Sequence, residues 1–180
     1  MKFSPVIPCL VCLLSALAGC TDLAYDALSA GHTDTFIRMV KGKTATELEA
    51  YRRGQDSYMS IAVRSSDLKA VNYLLEKGYN ANLGDTNGTS PLEMAAYQGY
   101  VDIGLALLQA GANIESRSTQ VRMTPLITSA WKDRTEMAIM LVRHGADVSA
   151  IDANGNNALH QAKRRKNAVL IACFSNAAAC

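Results

Sequence analysis

Apolar residues along this chain are distributed in two different ways. From Val6 to Leu17 they form one broken run, interrupted by Pro8, that is too short to span a bilayer with ease. After Cys20 they recur with a long period. Leu92, Leu126 and Leu159 are separated by 34 and 33 residues, and Met59 holds the same place 33 residues earlier. A second landmark keeps the same step: the pairs Leu74-Leu75, Leu107-Leu108 and Leu141-Val142 are each followed three residues later by glycine, at 78, 111 and 145. Two landmarks sharing one period predict a stack of similar helix-turn-helix units, a reading that precedes any other fold argument.

The residues around those landmarks suit that architecture. Pro91 and Pro125 fall where a first helical turn loses no hydrogen bond, and the preceding Ser90 and Thr124 can cap the helix. Small residues at Ala62, Ala95, Ala96, Ser129, Ala130 and Ala162 let neighbouring helices approach. Glycines 78, 111 and 145 suit left-handed helix ends, and the dipeptides Asn87-Gly88 and Asn154-Gly155 suit tight turns between units. No such unit buries its apolar face alone, so stability is shared along the stack.

The segments Ser90-Pro91-Leu92, Thr124-Pro125-Leu126, Leu159-His160, Gly111-Ala112 and Gly145-Ala146-Asp147 resemble ankyrin repeats, whose pattern reads Thr-Pro-Leu-His, an alanine pair, Gly-His, Leu-Leu and Gly-Ala-Asp. The resemblance implies an all-α ankyrin solenoid of about four to five helix-turn-helix units with short β-hairpin fingers. A degenerate unit, keeping Ala30-Gly31-His32 and an apolar stretch from Phe36 to Val40, is expected at about 22–54. Repeats follow at about 55–87, 88–121 and 122–154, with a C-terminal cap at 155–180.

The leader carries a second resemblance. Lys2, the apolar run and Leu17-Ala18-Gly19-Cys20 resemble the signal peptide and lipobox of bacterial lipoproteins. That implies removal of residues 1–19, diacylglycerol on the Cys20 thiol and an acylated amino terminus. Several acyl chains, at about 0.8 kcal/mol per buried methylene, make such attachment effectively permanent. Thr21 stands where an aspartate would retain a lipoprotein in the inner membrane, so the expected location is the periplasmic face of the outer membrane of a Gram-negative cell.

Charge names no partner. The chain has 18 basic and 16 acidic residues, and losing Lys2 brings it still closer to neutrality. Export does constrain the cysteines. Once Cys20 is lipidated, Cys173 and Cys180 remain in an oxidising compartment, where a disulfide is the natural expectation and two tail thiols the alternative. Seven residues of continuous helix rise roughly 10.5 Å, too far for a disulfide, so that pairing requires the last helix to end near Phe174 to Asn176 and residues 177–179 to fold back.

No catalytic constellation is present: neither a Gly-x-Ser-x-Gly elbow, a His-Glu-x-x-His pair, a Walker loop nor a metal-ligand spacing occurs. The three histidines have structural readings. His160 stands at the motif histidine, whose ring the family uses to tie finger to helix, His32 at the Gly-His position, and His144 before a helix-ending glycine. Asp85, Asp147 and Asp152 lie in or beside fingers, where aspartate caps turns. No cofactor, metal, nucleic acid or small-molecule substrate is expected. The run Lys163-Arg164-Arg165-Lys166 reads as a solvated helix face, with an acidic protein partner or lipid headgroups as the alternative.

Function is therefore expected to be binding. In ankyrin domains the fingertips and the residues after the alanine pair line one concave groove, and carrying those positions over gives candidates in each unit. Arg53 and Arg64 come first, then Thr86, Asn87, Tyr97 and Gln98. The next unit supplies Arg117, Gln120, Val121, Arg122, Met123, Trp131 and Lys132, and the last Asn154, Arg164 and Arg165. Tyr97 and Trp131 stand at equivalent positions, so they should be neighbours. The finger at 116–122 is one residue longer than the others and lacks their turn glycine, which makes it the expected seat of specificity. Small ankyrin lipoproteins resemble immunity proteins that neutralise toxic effectors, notably phospholipases delivered by type VI secretion. A periplasmic scaffold or accessory factor for a resident enzyme, for example an oxidative-stress enzyme, is the alternative.

Overall fold

The computed structural model describes residues 19–51, 56–118, 121–176 and 180. The leader through residue 18 and the Cys20 side chain lie outside the described part, as do Arg53, Gln120 and residues 177–179. Five helix pairs follow one another. They are α1 (Gly19–Ser29) with α2 (Thr33–Val40), α4 (Tyr58–Arg64) with α5 (Leu68–Glu76), α6 (Pro91–Gln98) with α7 (Val101–Gln109), α8 (Pro125–Trp131) with α9 (Thr135–Arg143), and α10 (Ala158–Arg165) with α11 (Ala168–Ser175). A short extra helix, α3 (Ala45–Ala50), follows the first pair. The first helices of the pairs pack in order as an inner layer and the second helices as an outer layer, which is the two-layer solenoid that the period implies.

The inner helices α4, α6, α8 and α10 each start on a side-chain cap. The Ser57, Ser90, Thr124 and Asn157 oxygens accept from the backbone N–H groups of Ser60, Glu93, Ile127 and His160, and Pro91 and Pro125 occupy the first turn of α6 and α8. Ala62, Ala95, Ala96, Ser129, Ala130 and Ala162 are fully buried, so the inner helices meet with almost no side chain between them. Leu74, Leu107 and Leu141 fill the seam toward the outer layer. The turn between the layers requires a left-handed residue at 31, 66, 99, 133 and 166, and only two of these are glycine: φ is 75° at Gly31, 56° at Ser66, 85° at Gly99, 59° at Asp133 and 59° at Lys166. At Gly99 a Cβ would meet the Arg134 side chain at 2.8 Å, so that glycine answers both a backbone and a packing demand.

Among the described residues the fingers at 85–89 and 152–156 are turns rather than the expected β-hairpins. An aspartate does the work of a ladder: Asp85 Oδ1 accepts from the Asn87 and Thr89 N–H groups at 2.9 Å, while its own N–H donates to the Thr89 carbonyl at 3.1 Å. Asp152 repeats the arrangement with Asn154 and Asn156, at 2.8 and 2.9 Å. The finger at 116–122 has no such aspartate. Instead Arg117 donates to the Ile151 carbonyl at 2.6 Å, and the Ala153 N–H donates to the Val121 carbonyl at 3.0 Å, so this finger leans on the next one.

At the C-terminal end, Cys173 and Cys180 form a disulfide, with their Cα atoms 4.6 Å apart. Helix α11 ends at Ser175, and Arg143 Nε donates to the Cys180 carbonyl at 2.8 Å, tying the closing loop to the preceding outer helix.

Candidate functional site

The inner helices end at the concave surface, and there α6 and α8 set two aromatic rings side by side. Tyr97 and Trp131 meet edge to face with centroids 6.1 Å apart. The Lys132 ammonium lies 4.0 Å from the Tyr97 centroid and 4.2 Å from that of Trp131, so one cation is shared by both rings. The backbone beneath is pinned from the C-terminal side, since Arg134 Nε donates to the Tyr97 carbonyl at 3.2 Å and Arg165 Nε to the Trp131 carbonyl at 2.7 Å.

Below the rings lies a cavity of about 460 Å³. Helices contribute Arg64, Tyr97, Gln98 and Trp131 to its lining, and the fingers contribute Asn87, Val121 and Met123. Its deeper wall is polar and buried: Glu93, Ser118 and Thr128 are only 6%, 8% and 3% exposed. Among the described residues, Glu93 Oε2, Ser118 Oγ and Thr128 Oγ1 find no hydrogen-bond partner. Burial pushes the Glu93 carboxyl up to about 7; the neighbouring Ser118 hydroxyl opposes the shift and the Asp85 charge adds to it. Such groups are costly to bury unsatisfied, which marks the cavity as unlike an ordinary inter-repeat gap.

Other sequence candidates are placed elsewhere. Thr86 and Asn154 are exposed on their fingers, and Arg122 is exposed with left-handed backbone. Arg117 is committed to the Ile151 carbonyl, Arg164 donates to Gln161 at 3.4 Å and Arg165 holds the Trp131 carbonyl, so these three guanidinium groups have internal tasks. The His160 ring is exposed, and only its backbone N–H is used, taken by Asn157; the finger tie implied for that ring is not formed. Sequence reasoning passed over Glu93, Ser118 and Thr128. One signal was available for Glu93, which aligns with His160 and so puts a carboxyl at the motif's histidine position. Ser118 and Thr128 carry none.

Two matches to known sequences decide the family. The family described as ankyrin repeats, in three copies, matches residues 23–118, and the single ankyrin repeat matches residues 122–153. The chain is an ankyrin-repeat protein. It is 28% identical over 141 residues to an ankyrin repeat-containing protein of Treponema pallidum (strain Nichols), covering 77% of this chain and 47% of that protein. It is 30% identical over 110 residues to the phosphocholine transferase AnkX of Legionella pneumophila, covering 59% of this chain and 12% of the transferase. Against human palmitoyltransferase ZDHHC13 it is 30% identical over 89 residues, 49% of this chain and 14% of that enzyme. The chain thus spans about half or less of the length of these relatives. Ankyrin repeats are protein-interaction modules, and the activities in those names belong to the proteins that bear them. Among the described residues of this ankyrin protein, no helix is long and apolar enough to cross a membrane, and no group of three or more His, Cys, Asp or Glu is placed to hold a metal ion.

Proposed function

We propose that this ankyrin-repeat protein is anchored by lipid at Cys20 to the periplasmic side of the outer membrane and there binds and neutralises a toxic secreted effector such as a phospholipase. The observation that carries the binding half of this reading is the Tyr97–Trp131–Lys132 cluster over a cavity with a buried polar wall. Aromatic and basic residues around a desolvated pocket are the composition of interface hot spots. Support for the anchor comes from the leader alone, in Leu17-Ala18-Gly19-Cys20. Tethering an inhibitor to the membrane that a lipase attacks raises its local concentration where it is needed.

The test is affinity capture with the full chain, tagged and produced in its own organism, from envelope and secreted fractions, with mass spectrometry of what is retained. A co-purifying lipase whose activity falls on adding the chain supports the proposal. A resident periplasmic enzyme, kept active in the complex, replaces it with the scaffold role. Failure of labelled palmitate to enter the wild-type chain, or its entry into Cys20→Ser, removes the anchor.

A further inference from the structure

Resting on the reading that the groove binds a protein, we propose that the cavity beneath Tyr97 and Trp131 receives an arginine side chain of the partner, its guanidinium seated against Glu93, Ser118 and Thr128.

Three buried oxygens, Glu93 Oε2, Ser118 Oγ and Thr128 Oγ1, line one cavity and lack partners among the described residues. All three can accept hydrogen bonds; the Ser118 and Thr128 hydroxyls can also donate, and that of Ser118 acts on the Glu93 carboxyl, but two hydroxyl protons leave most of the lone pairs on these oxygens unmet. A guanidinium offers five N–H donors in a planar fork and no acceptor, and so fits a wall of acceptors better than an amide or hydroxyl does. The remaining lining suits the rest of such a side chain, because Met94, Met123 and Val121 give the methylene stem an apolar wall. The Tyr97 and Trp131 rings at the mouth extend the apolar wall for the stem, while the Lys132 ammonium lies against their faces.

The charges agree with a cation. Three charged groups besides Glu93 itself face it or the cavity mouth. Asp85, from the finger, is negative, and it spends one oxygen on its own turn. Arg64, from α4, is already ion-paired with Asp56, which also accepts from the Tyr25 hydroxyl at 3.1 Å. Lys132 stands outside the lining, against the ring faces, and Glu93 itself is negative once ionised. Among the described residues Arg64 is thus the only cation that lines the cavity, and Asp56 holds it. Burial holds Glu93 partly protonated near neutral pH, and a seated guanidinium restores the carboxylate by replacing lost solvation with charge-assisted hydrogen bonds.

The experiment uses the full chain and N-acetyl-arginine amide as probe, read through the fluorescence of Trp131, the chain's one tryptophan. The expected result is a saturable change with the arginine amide, clearly weaker with the isosteric N-acetyl-glutamine amide, and weakened at least about tenfold in Glu93→Gln. A second readout on the wild type needs no variant: because Glu93 must ionise to pair, affinity for the arginine amide rises about tenfold from pH 6 to pH 8. Equal binding of the two amides, unchanged affinity in Glu93→Gln, a pH-independent affinity or no response at all would each overturn the assignment. Capture of the same protein partner by wild type and Glu93→Gln with equal affinity overturns it while leaving the groove reading intact. Arginine-amide binding by a chain that captures no protein overturns the groove reading instead, and with it the partner as source of the arginine.

Discussion

Tyr97 and Trp131 stand 34 residues apart in sequence and meet edge to face at 6.1 Å, because each occupies the C-terminal turn of an inner helix and the inner helices stack one repeat apart. Their contact is a product of the period, whereas their aromatic character is particular to these two units. Arg64 and Arg165 flank them at nearby places on α4 and α10.

That pair is where a protein partner should be most sensitive. The double substitution Tyr97→Ala, Trp131→Ala is expected to cost several kcal/mol of partner affinity while leaving helical content unchanged. Titration calorimetry with the captured partner, alongside circular dichroism, checks it; undiminished affinity would move the interface to another face, such as the basic end of α10.

Glu93 makes stability depend on pH in an unusual sense for a carboxylate. Below about 4.5 the group is neutral in both folded and unfolded chains and costs nothing. As pH rises toward 7 the unfolded chain releases this proton while the folded chain retains it, so stability declines, by at most about 3 kcal/mol, and levels off above. Urea denaturation from pH 5 to pH 8 should show this decline in the wild type and a flatter profile in Glu93→Gln. Parallel profiles would place the titration elsewhere.

The Cys173–Cys180 bond closes an eight-residue loop at the end of the stack. On the chain-entropy account its loss costs about 2.5 kcal/mol, concentrated in the terminal pair because a solenoid's stability is local. Hydrogen exchange with and without reductant should therefore show lost protection in α10 and α11 and little change in α4. Uniform loss along the chain would mean that the stack unfolds as one unit.

Lys166 adopts a left-handed backbone at the turn where Gly99 stands two units earlier in the same structural place. Lys166→Gly removes that strain and is expected to gain about 0.5 to 1 kcal/mol after the greater chain entropy of glycine is subtracted. A higher urea midpoint at unchanged slope is the expected reading; a lower midpoint would show that the lysine side chain contributes more than its backbone costs.

The repeat frame was legible because leucines, alanines and prolines recur at a step that only stacked units explain, and the helix caps at Ser90 and Thr124 lie where the proline positions put them. The adjacency of Tyr97 and Trp131 followed from the same frame. What the frame concealed was side-chain direction. Arg117 and Arg165 occupy groove positions, yet their guanidinium groups bond to backbone carbonyls, a choice set by distances between units rather than by residue type. The three buried acceptors of the cavity were equally hidden, since Ser118 and Thr128 are ordinary residues in sequence and become significant only when two units close over Glu93. The left-handed turns at Ser66, Asp133 and Lys166 are hidden in the sequence because glycine, the usual sign of that backbone, marks this turn only at positions 31 and 99.

The finger at 116–122 has a further consequence. Repeat proteins are commonly pictured as beads that can be added, removed or exchanged without disturbing their neighbours. Here the lip of the cavity, Val121, is secured by Ala153, and the Arg117 beside it by the Ile151 carbonyl, so recognition in the middle of the chain depends on a segment that belongs to the following bead. Grafting the two central repeats into another stack would transfer the rings and the buried carboxyl but leave that lip without its support. The proposed binding surface therefore extends beyond the repeats that carry its rings.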